Sequence, residues 1–501
     1  MASPEVEHLD VVIVGAGLSG IGAGYHLQAN CPDRSYAILE ARDSIGGTWD
    51  LFRYPGIRSD SDMYTLGYSF RPWSDAKSIA DGASILEYVR STASENGIDE
   101  RIRFGHRVVR AEWSSVDTRW TLTALHGEHG ETVELSCSFL LMCSGYYRYD
   151  EGYTPELPGH ERFRGQIVHP QHWSTDIDYD GRRAIVIGSG ATAVTLVPAM
   201  ARTAAHVTML QRSPSYIVSL PAEDPIAKIL RRVLPARWAY GAVRWKNVLL
   251  TMLSFQLSRR RPALVKAMLR KGLEKRLPDG FDIDTHFKPR YGPWDQRLCL
   301  VPDGDLFEAI ADGTASIVTD EIETFTERGI LLASGEELEA DVIVTATGLN
   351  LLALGGMELA VDGREIEISE TMSYKGMMLS GVPNLAIAFG YTNASWTLKA
   401  DLTCEYVCRL LNHMRREGYR EARPRERDPA MPEEPFIDFS SSYVLRSIEQ
   451  FPKQGSRAPW RLYQNYARDI FSLRFGSLAD EAMQFSAGAA PAAAPPQQLV
   501  A

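Results

Sequence analysis

Asp10-Val11-Val12-Ile13-Val14-Gly15-Ala16-Gly17-Leu18-Ser19-Gly20 sets a short apolar run against a turn with three glycines. A helical pattern follows from Leu18 to about Asn30, and a second apolar run, Tyr36–Leu39, ends at Glu40. This is a strand, turn, helix and strand, the βαβ unit of a parallel sheet. Gly15, Gly17 and Gly20 occupy the G-x-G-x-x-G positions that permit a tight turn and let a pyrophosphate approach backbone at a helix N-terminus. Glu40, at the end of the second strand, is placed to accept hydrogen bonds from a ribose hydroxyl.

The plan recurs. A strand at Arg183–Ile187 runs into Gly188-Ser189-Gly190-Ala191-Thr192-Ala193, with Ala193 in the third glycine position, which the pattern tolerates. Its second strand, Val207–Leu210, closes on Gln211-Arg212-Ser213 and not on an acid. A guanidinium beside a hydroxyl suits a 2′-phosphate better than a bare ribose. Two different dinucleotides are therefore expected, FAD in the first unit and NADPH in the second, with electrons passing between them. The expected fold class is α/β, with two Rossmann-like dinucleotide-binding domains and a helical insertion in the second. Residues 1–150 and 381–485 read as two parts of the FAD domain, and 151–380 as the NADPH domain. The insertion lies at about 215–290, where strand patterns vanish and stretches such as 242–257 and 262–277 read as helices. Residues 486–501, Ala/Pro/Gln-rich and uncharged, read as a disordered tail. Phe139–Cys143, Asp341–Thr345 and Leu385–Phe389 are further buried-strand candidates.

The chain has 501 residues, enough for several cores, and its net charge of −11 disfavours a nucleic-acid partner. Six scattered cysteines, no secretory signal and no long apolar span lead to the expectation of a cytoplasmic protein. No metal site is expected. Charge is distributed unevenly, because residues 228–276 hold 14 Lys/Arg against the single acid Glu274, leaving −24 elsewhere. That segment reads either as a solvated helical face or as a cationic surface in peripheral contact with anionic lipid.

A nucleotide pair of this kind serves disulfide reductases, flavin reductases and oxygen-inserting flavoenzymes alike. The first class needs closely spaced cysteines after the first helix, and none stands there; Cys404 and Cys408, one helical turn apart, read as core. Two more motifs bear on the choice. Phe163-Arg164-Gly165-Gln166-Ile167-Val168-His169-Pro170-Gln171-His172-Trp173 resembles the F-x-G-x3-H-x3-W fingerprint of type I Baeyer–Villiger monooxygenases, which belong to the class B flavin monooxygenases. Related N- and S-oxygenating enzymes usually carry Tyr or Phe where Trp173 stands. Gly46-Gly47-Thr48-Trp49-Asp50-Leu51-Phe52-Arg53-Tyr54-Pro55-Gly56-Ile57-Arg58-Ser59-Asp60 resembles the pattern G-G-x-W-x4-[FY]-P-G-x3-D of that family at every fixed position. The resemblance runs to about Phe485 and is closest to mycobacterial-type members that activate a thioamide prodrug.

The resemblance implies an enzyme that uses NADPH and O2 to insert one oxygen atom into a ketone, or to oxygenate a sulfide or thioamide. It assigns Arg297, in Tyr291–Cys299, as the cation beside the flavin, and Asp60 as the carboxylate that orients it. Gly47 would help bind the flavin, and Trp49 and Tyr54 would wall it. Phe163, Gly165, His169 and Trp173 would belong to the linker that couples the two domains, with His169 as a hydrogen-bonded hinge. The chain departs from the family in Ser174, where Pro or Asp is usual, and in Gln296, where many members have a Lys that helps hold the 2′-phosphate. NADPH preference therefore rests mainly on Arg212. An N- or S-oxygenating enzyme without ketone activity, and a reductase whose acceptor is not O2, stay open as alternatives, as does the oligomeric state.

Overall fold

The computed structural model describes residues 6–488 apart from 128, 297, 427 and 429. Two β-sheets organise it. In the first, Glu7–Val14 lies between Tyr36–Leu39 and Glu131–Met142, parallel to both. The sheet extends on one side to Ile102–Arg103 and on the other through the antiparallel strands Arg119–His126 and His106–Ser114. The second sheet has five parallel strands in the order Ala315–Thr319, His206–Gln211, Arg183–Ile187, Val342–Thr345 and Gln166–Val168. Parallel strands buried on both faces need continuous apolar side chains. Val11, Val12 and Ile13 in one sheet and Val342, Ile343 and Val344 in the other meet that need, all fully buried.

The chain crosses between the sheets twice, at Tyr147–Gly152 and back at Leu349–Leu351, and the two crossings pair with each other antiparallel. The return corrects the expected boundary at 380. Glu358–Val361 lies parallel to His106–Ser114, pairing Leu359 with Ala111 and Val361 with Trp113, so this stretch belongs to the first sheet. Its side chains Leu359 and Val361 are buried with Trp113 and Leu122. Leu385–Ile387 then pairs with Glu131–Met142.

The helical insertion runs from Pro225 to His286 as the helices Pro225–Val233, Ala236–Arg260, Pro262–Glu274 and Ile283–His286. Strand character does not vanish across the whole of 215–290, however. Ile217–Leu220 pairs parallel with Cys299–Pro302 and closes the base of the insertion. Inward residues of the long helix, Tyr240, Val243 and Val248, join the core of the first sheet and not that of the second. The Arg244 guanidinium, buried there, donates to the carbonyls of Tyr64 and Gly67 at 2.7 and 2.8 Å. At the C-terminus Met483–Ser486 pairs with Glu421–Pro424, so the expected tail does not begin at 486; residues 489–501 lie outside the described ones. All six cysteines are buried and free. Among the described residues no helix is long and apolar enough to cross a membrane.

Candidate active site

A single cleft of about 1500 Å3 runs between the two sheets, and both glycine turns open onto it. On the first side Gly15 has φ +104°, and a Cβ there would lie 2.6 Å from the Cys143 carbonyl oxygen. The constraint at Gly20 is steric, since a Cβ would come within 1.9 Å of the Gly15 oxygen. Gly17 begins the helix Leu18–Asn30, and the Cα of Gly47 lies 3.6 Å from where its Cβ would be. The turn therefore approaches the G-G-x-W loop backbone to backbone, leaving a groove that side chains would fill. This is the surface a pyrophosphate requires. Glu40 lines the cleft with its carboxylate positioned by two backbone donors, Ala16 N–H at 2.7 Å and Arg42 N–H at 2.9 Å. Burial pushes its pKa up, against those hydrogen bonds.

The second side is built likewise. Gly188, with φ +141°, would place a Cβ 2.4 Å from the Ala346 carbonyl oxygen. Gly190 precedes the helix Ala191–Met200 without a side-chain cap, and a Cβ there meets nothing within 4 Å, so its backbone faces open cleft. Arg212 and Ser213 stand exposed on the cleft wall at the end of His206–Gln211. Ala193 is fully buried under the turn.

The G-G-x-W motif bridges the two sides. Trp49 lines the cleft, as does Tyr54, whose buried hydroxyl has its pKa raised by desolvation and stays a neutral phenol. Gly56, at φ +76°, lets the loop pass over the second-fingerprint helix; a Cβ would lie 2.7 Å from that of Ala199. Arg58 pairs with Asp305, at the start of the helix Asp305–Ala311. Asp50 is buried among Arg42, Arg53 and Arg90 and accepts from Ser44 at 2.6 Å. Burial opposes its ionisation, but Ser44 and the three guanidiniums outweigh that and hold its pKa below the usual carboxylate range. Asp60 lines the cleft.

Of the residues expected from sequence, Gly15, Gly17, Glu40, Gly47, Trp49, Asp60, Gly188, Gly190, Arg212 and Ser213 all border this one cleft. Arg297 lies outside the described residues, although Gln296 and Cys299 on either side of it line the cleft. Phe163, Gly165, His169 and Trp173 stand back from it. Phe163 packs in the core of the second sheet, and Gly165 must be small because a Cβ would lie 2.3 Å from the Asp341 carbonyl oxygen. Trp173 packs edge-on to Tyr179, with ring centroids 6.0 Å apart.

His169 meets the chain crossings. Its Nε2–H donates to the Gly348 carbonyl at 3.2 Å, while Nδ1 accepts the Gln171 N–H at 3.2 Å. Its ring occupies the space where a Cβ on Gly152 would be. One donor and one acceptor define a neutral imidazole, and burial lowers its pKa in the same sense.

The Flavin-binding monooxygenase-like family profile matches residues 9–378. The chain belongs to this family.

This flavin-binding monooxygenase is 58% identical to the FAD-containing monooxygenase EthA of Mycobacterium tuberculosis, over 97% of its own length and 99% of that protein's. Its fold is that of solved monooxygenases at lower identity. A steroid monooxygenase bound to NADP superposes with a TM-score of 0.69 at 23% identity, covering 83% of this chain and 87% of the other. OTEMO in complex with FAD and NADP gives 0.70 at 22%, covering 84% and 87%. The cleft wall also includes a residue at none of the motif positions. Trp396 lines the cleft and donates its Nε1–H to Ser19 Oγ at 2.8 Å, beside the first glycine turn. In sequence it is one aromatic among many at the start of the apolar helix Trp396–Glu417, and no spacing singles it out.

Proposed function

We propose that this protein is an NADPH-dependent, FAD-containing Baeyer–Villiger monooxygenase that converts ketones to esters or lactones with O2 and also oxygenates sulfides and thioamides. The observation that carries the reading is that two glycine turns, one followed by Glu40 and the other by Arg212 at the end of the next strand, open onto one cleft. FAD fits the first cradle, where side chains would clash and the Glu40 carboxylate takes a ribose diol. NADPH fits the second, where Arg212 and Ser213 take the 2′-phosphate. A reduced flavin supplies two electrons to O2, so that one oxygen atom enters the substrate and the other leaves as water.

The protein's own work is positioning and charge. Trp49, Tyr54 and Trp396 wall the cleft and keep water from the reacting centre. Arg297 provides a permanent cation for negative charge developing on oxygen, and Asp60 orients it. A fixed charge in a dry site stabilises such a transition state far more than it would in water. His169 holds the connecting strands as a hinge between the two nucleotide domains. An apolar approach to the cleft favours medium or long aliphatic ketones over small polar ones, and segment 228–276 makes peripheral contact with a membrane.

The test is product analysis under 18O2 with the holoenzyme, NADPH and paired ketones and sulfides. The expected result is ester carrying one labelled atom, with NADPH consumption matched to product. Sulfoxide without ester would identify an S-oxygenating enzyme. Hydrogen peroxide in place of any oxygenated product would overturn the reading altogether.

A further inference from the structure

The helices Pro225–Val233, Ala236–Arg260 and Pro262–Glu274 pack one after another, the first two against the first core and the third, through Leu273, against the second. The middle helix is apolar on both sides. Its inner face is buried, yet Trp238, Trp245, Leu249 and Leu253 recur at helical spacing on the other face. Trp238 is 75% exposed and Leu253 64%. A helix packed on a globular protein ordinarily presents polar residues to water. The first helix prolongs the patch with exposed Ile229 and Val233, and the third with Leu264 and Met268. A patch of this extent on a soluble protein marks an interaction surface.

Its charge indicates the partner. Arg237, Arg260, Arg261, Lys266, Lys271 and Lys275 are exposed and form no ion pair with any described residue. The one acid in 228–276, Glu274, is engaged by Arg270. A second copy docking through the same face would bring these cations against their own equivalents. A nucleic acid would leave the tryptophans and leucines in water. An anionic bilayer answers both features at once, with acyl chains for the apolar stripes and phosphate headgroups for the cations.

The helix that carries the patch also touches a loop of the cleft wall. At the C-terminal end of the long helix Phe255 packs edge-on to Trp294, with centroids 5.7 Å apart, and Arg259 pairs with Asp295 at 3.0 Å. Tyr291 and Gln296, in the same loop, line the cleft.

We infer that the outward face of these three helices lies on an anionic bilayer surface and that the cleft draws its substrate from lipid-dissolved apolar compounds. What is delivered rests on the oxygenation proposed above; the docking does not. The test is sedimentation of the full-chain holoenzyme with phosphatidylcholine vesicles, with and without phosphatidylglycerol. Co-sedimentation is expected only with phosphatidylglycerol, reversed by molar salt. Lys266→Gln and Lys271→Gln should each weaken it about fivefold. A Trp238→Ser, Leu249→Ser, Leu253→Ser variant alters exposed positions only. It should keep its bound flavin and its turnover of a water-soluble ketone, lose vesicle binding, and lose turnover of a long-chain ketone presented in vesicles. No sedimentation, equal sedimentation with neutral vesicles, or retained binding by the triple variant would overturn the docking. So would a fall in solution mass in that variant without vesicle binding, which would make the face a contact between copies. Vesicle binding without oxygenated product would leave the docking standing and remove the proposed reaction.

Discussion

The Gly348 carbonyl accepts two hydrogen bonds, from the backbone N–H of Tyr153 at 3.1 Å and from Nε2 of His169 at 3.2 Å. One atom thus ties the outgoing crossing, the returning crossing and the end of the edge strand Gln166–Val168. Protonating His169 would turn its acceptor toward Gln171 into a second donor. Its folded-state pKa lies below the unfolded value of 6.5, so the unfolded chain binds more protons at acid pH. Stability is then expected to rise with pH up to about 6.5 and to gain nothing further from this group above it. His169→Gln should flatten that slope, as read by thermal melts from pH 5 to 8, and should lower the fraction of NADPH consumption that ends in product. An unchanged slope would remove the assignment.

Gly20 and Gly190 predict opposite results for the same substitution. Gly20→Ala forces a Cβ to within 1.9 Å of the Gly15 oxygen, so the turn must open and the purified protein is expected without flavin absorbance. Gly190→Ala meets no protein atom within 4 Å and should fold normally, keep its flavin and raise KM for NADPH. Equal flavin content in the two variants would contradict the reading of the first turn.

Arg212 is exposed on the cleft wall and forms no ion pair with a described residue. A charge-assisted contact to a 2′-phosphate contributes about 1.5 to 3 kcal/mol. Arg212→Ala is therefore expected to lower the ratio of NADPH to NADH efficiency about 10- to 100-fold. Steady-state kinetics with both nucleotides measure it, and a constant ratio would move 2′-phosphate recognition elsewhere.

Arg58 and Asp305 couple the G-G-x-W loop to the second domain across a gap of 247 residues, and both are largely shielded from water. Removing one partner of such a pair leaves the other uncompensated, at a cost of about 3 kcal/mol. Asp305→Ala should lower the melting temperature clearly, and Arg58→Ala, Asp305→Ala together should cost less than the sum of the single changes. Strict additivity would show that the pair makes no energetic contribution.

Sequence alone determined the two strand, turn and helix units and singled out Gly15, Gly17, Glu40, Gly188, Gly190 and Arg212, which all border the cleft. It could do so because these features are local. A glycine turn, the helix start it leads into and a strand-ending acid all fall within about 30 residues of chain. Tertiary structure decided what depends on pairing between distant segments. It returned Glu358–Val361 to the first sheet beside His106–Ser114, brought Trp396 to Ser19, and joined Arg58 to Asp305. It also laid the long insertion helix Ala236–Arg260 on the first core and turned Trp238 and Leu253 to solvent. A four-residue strand or a lone tryptophan has the same local signature wherever it packs. Only burial against a particular partner distinguishes the outcomes, and that partner lies hundreds of residues away in the chain.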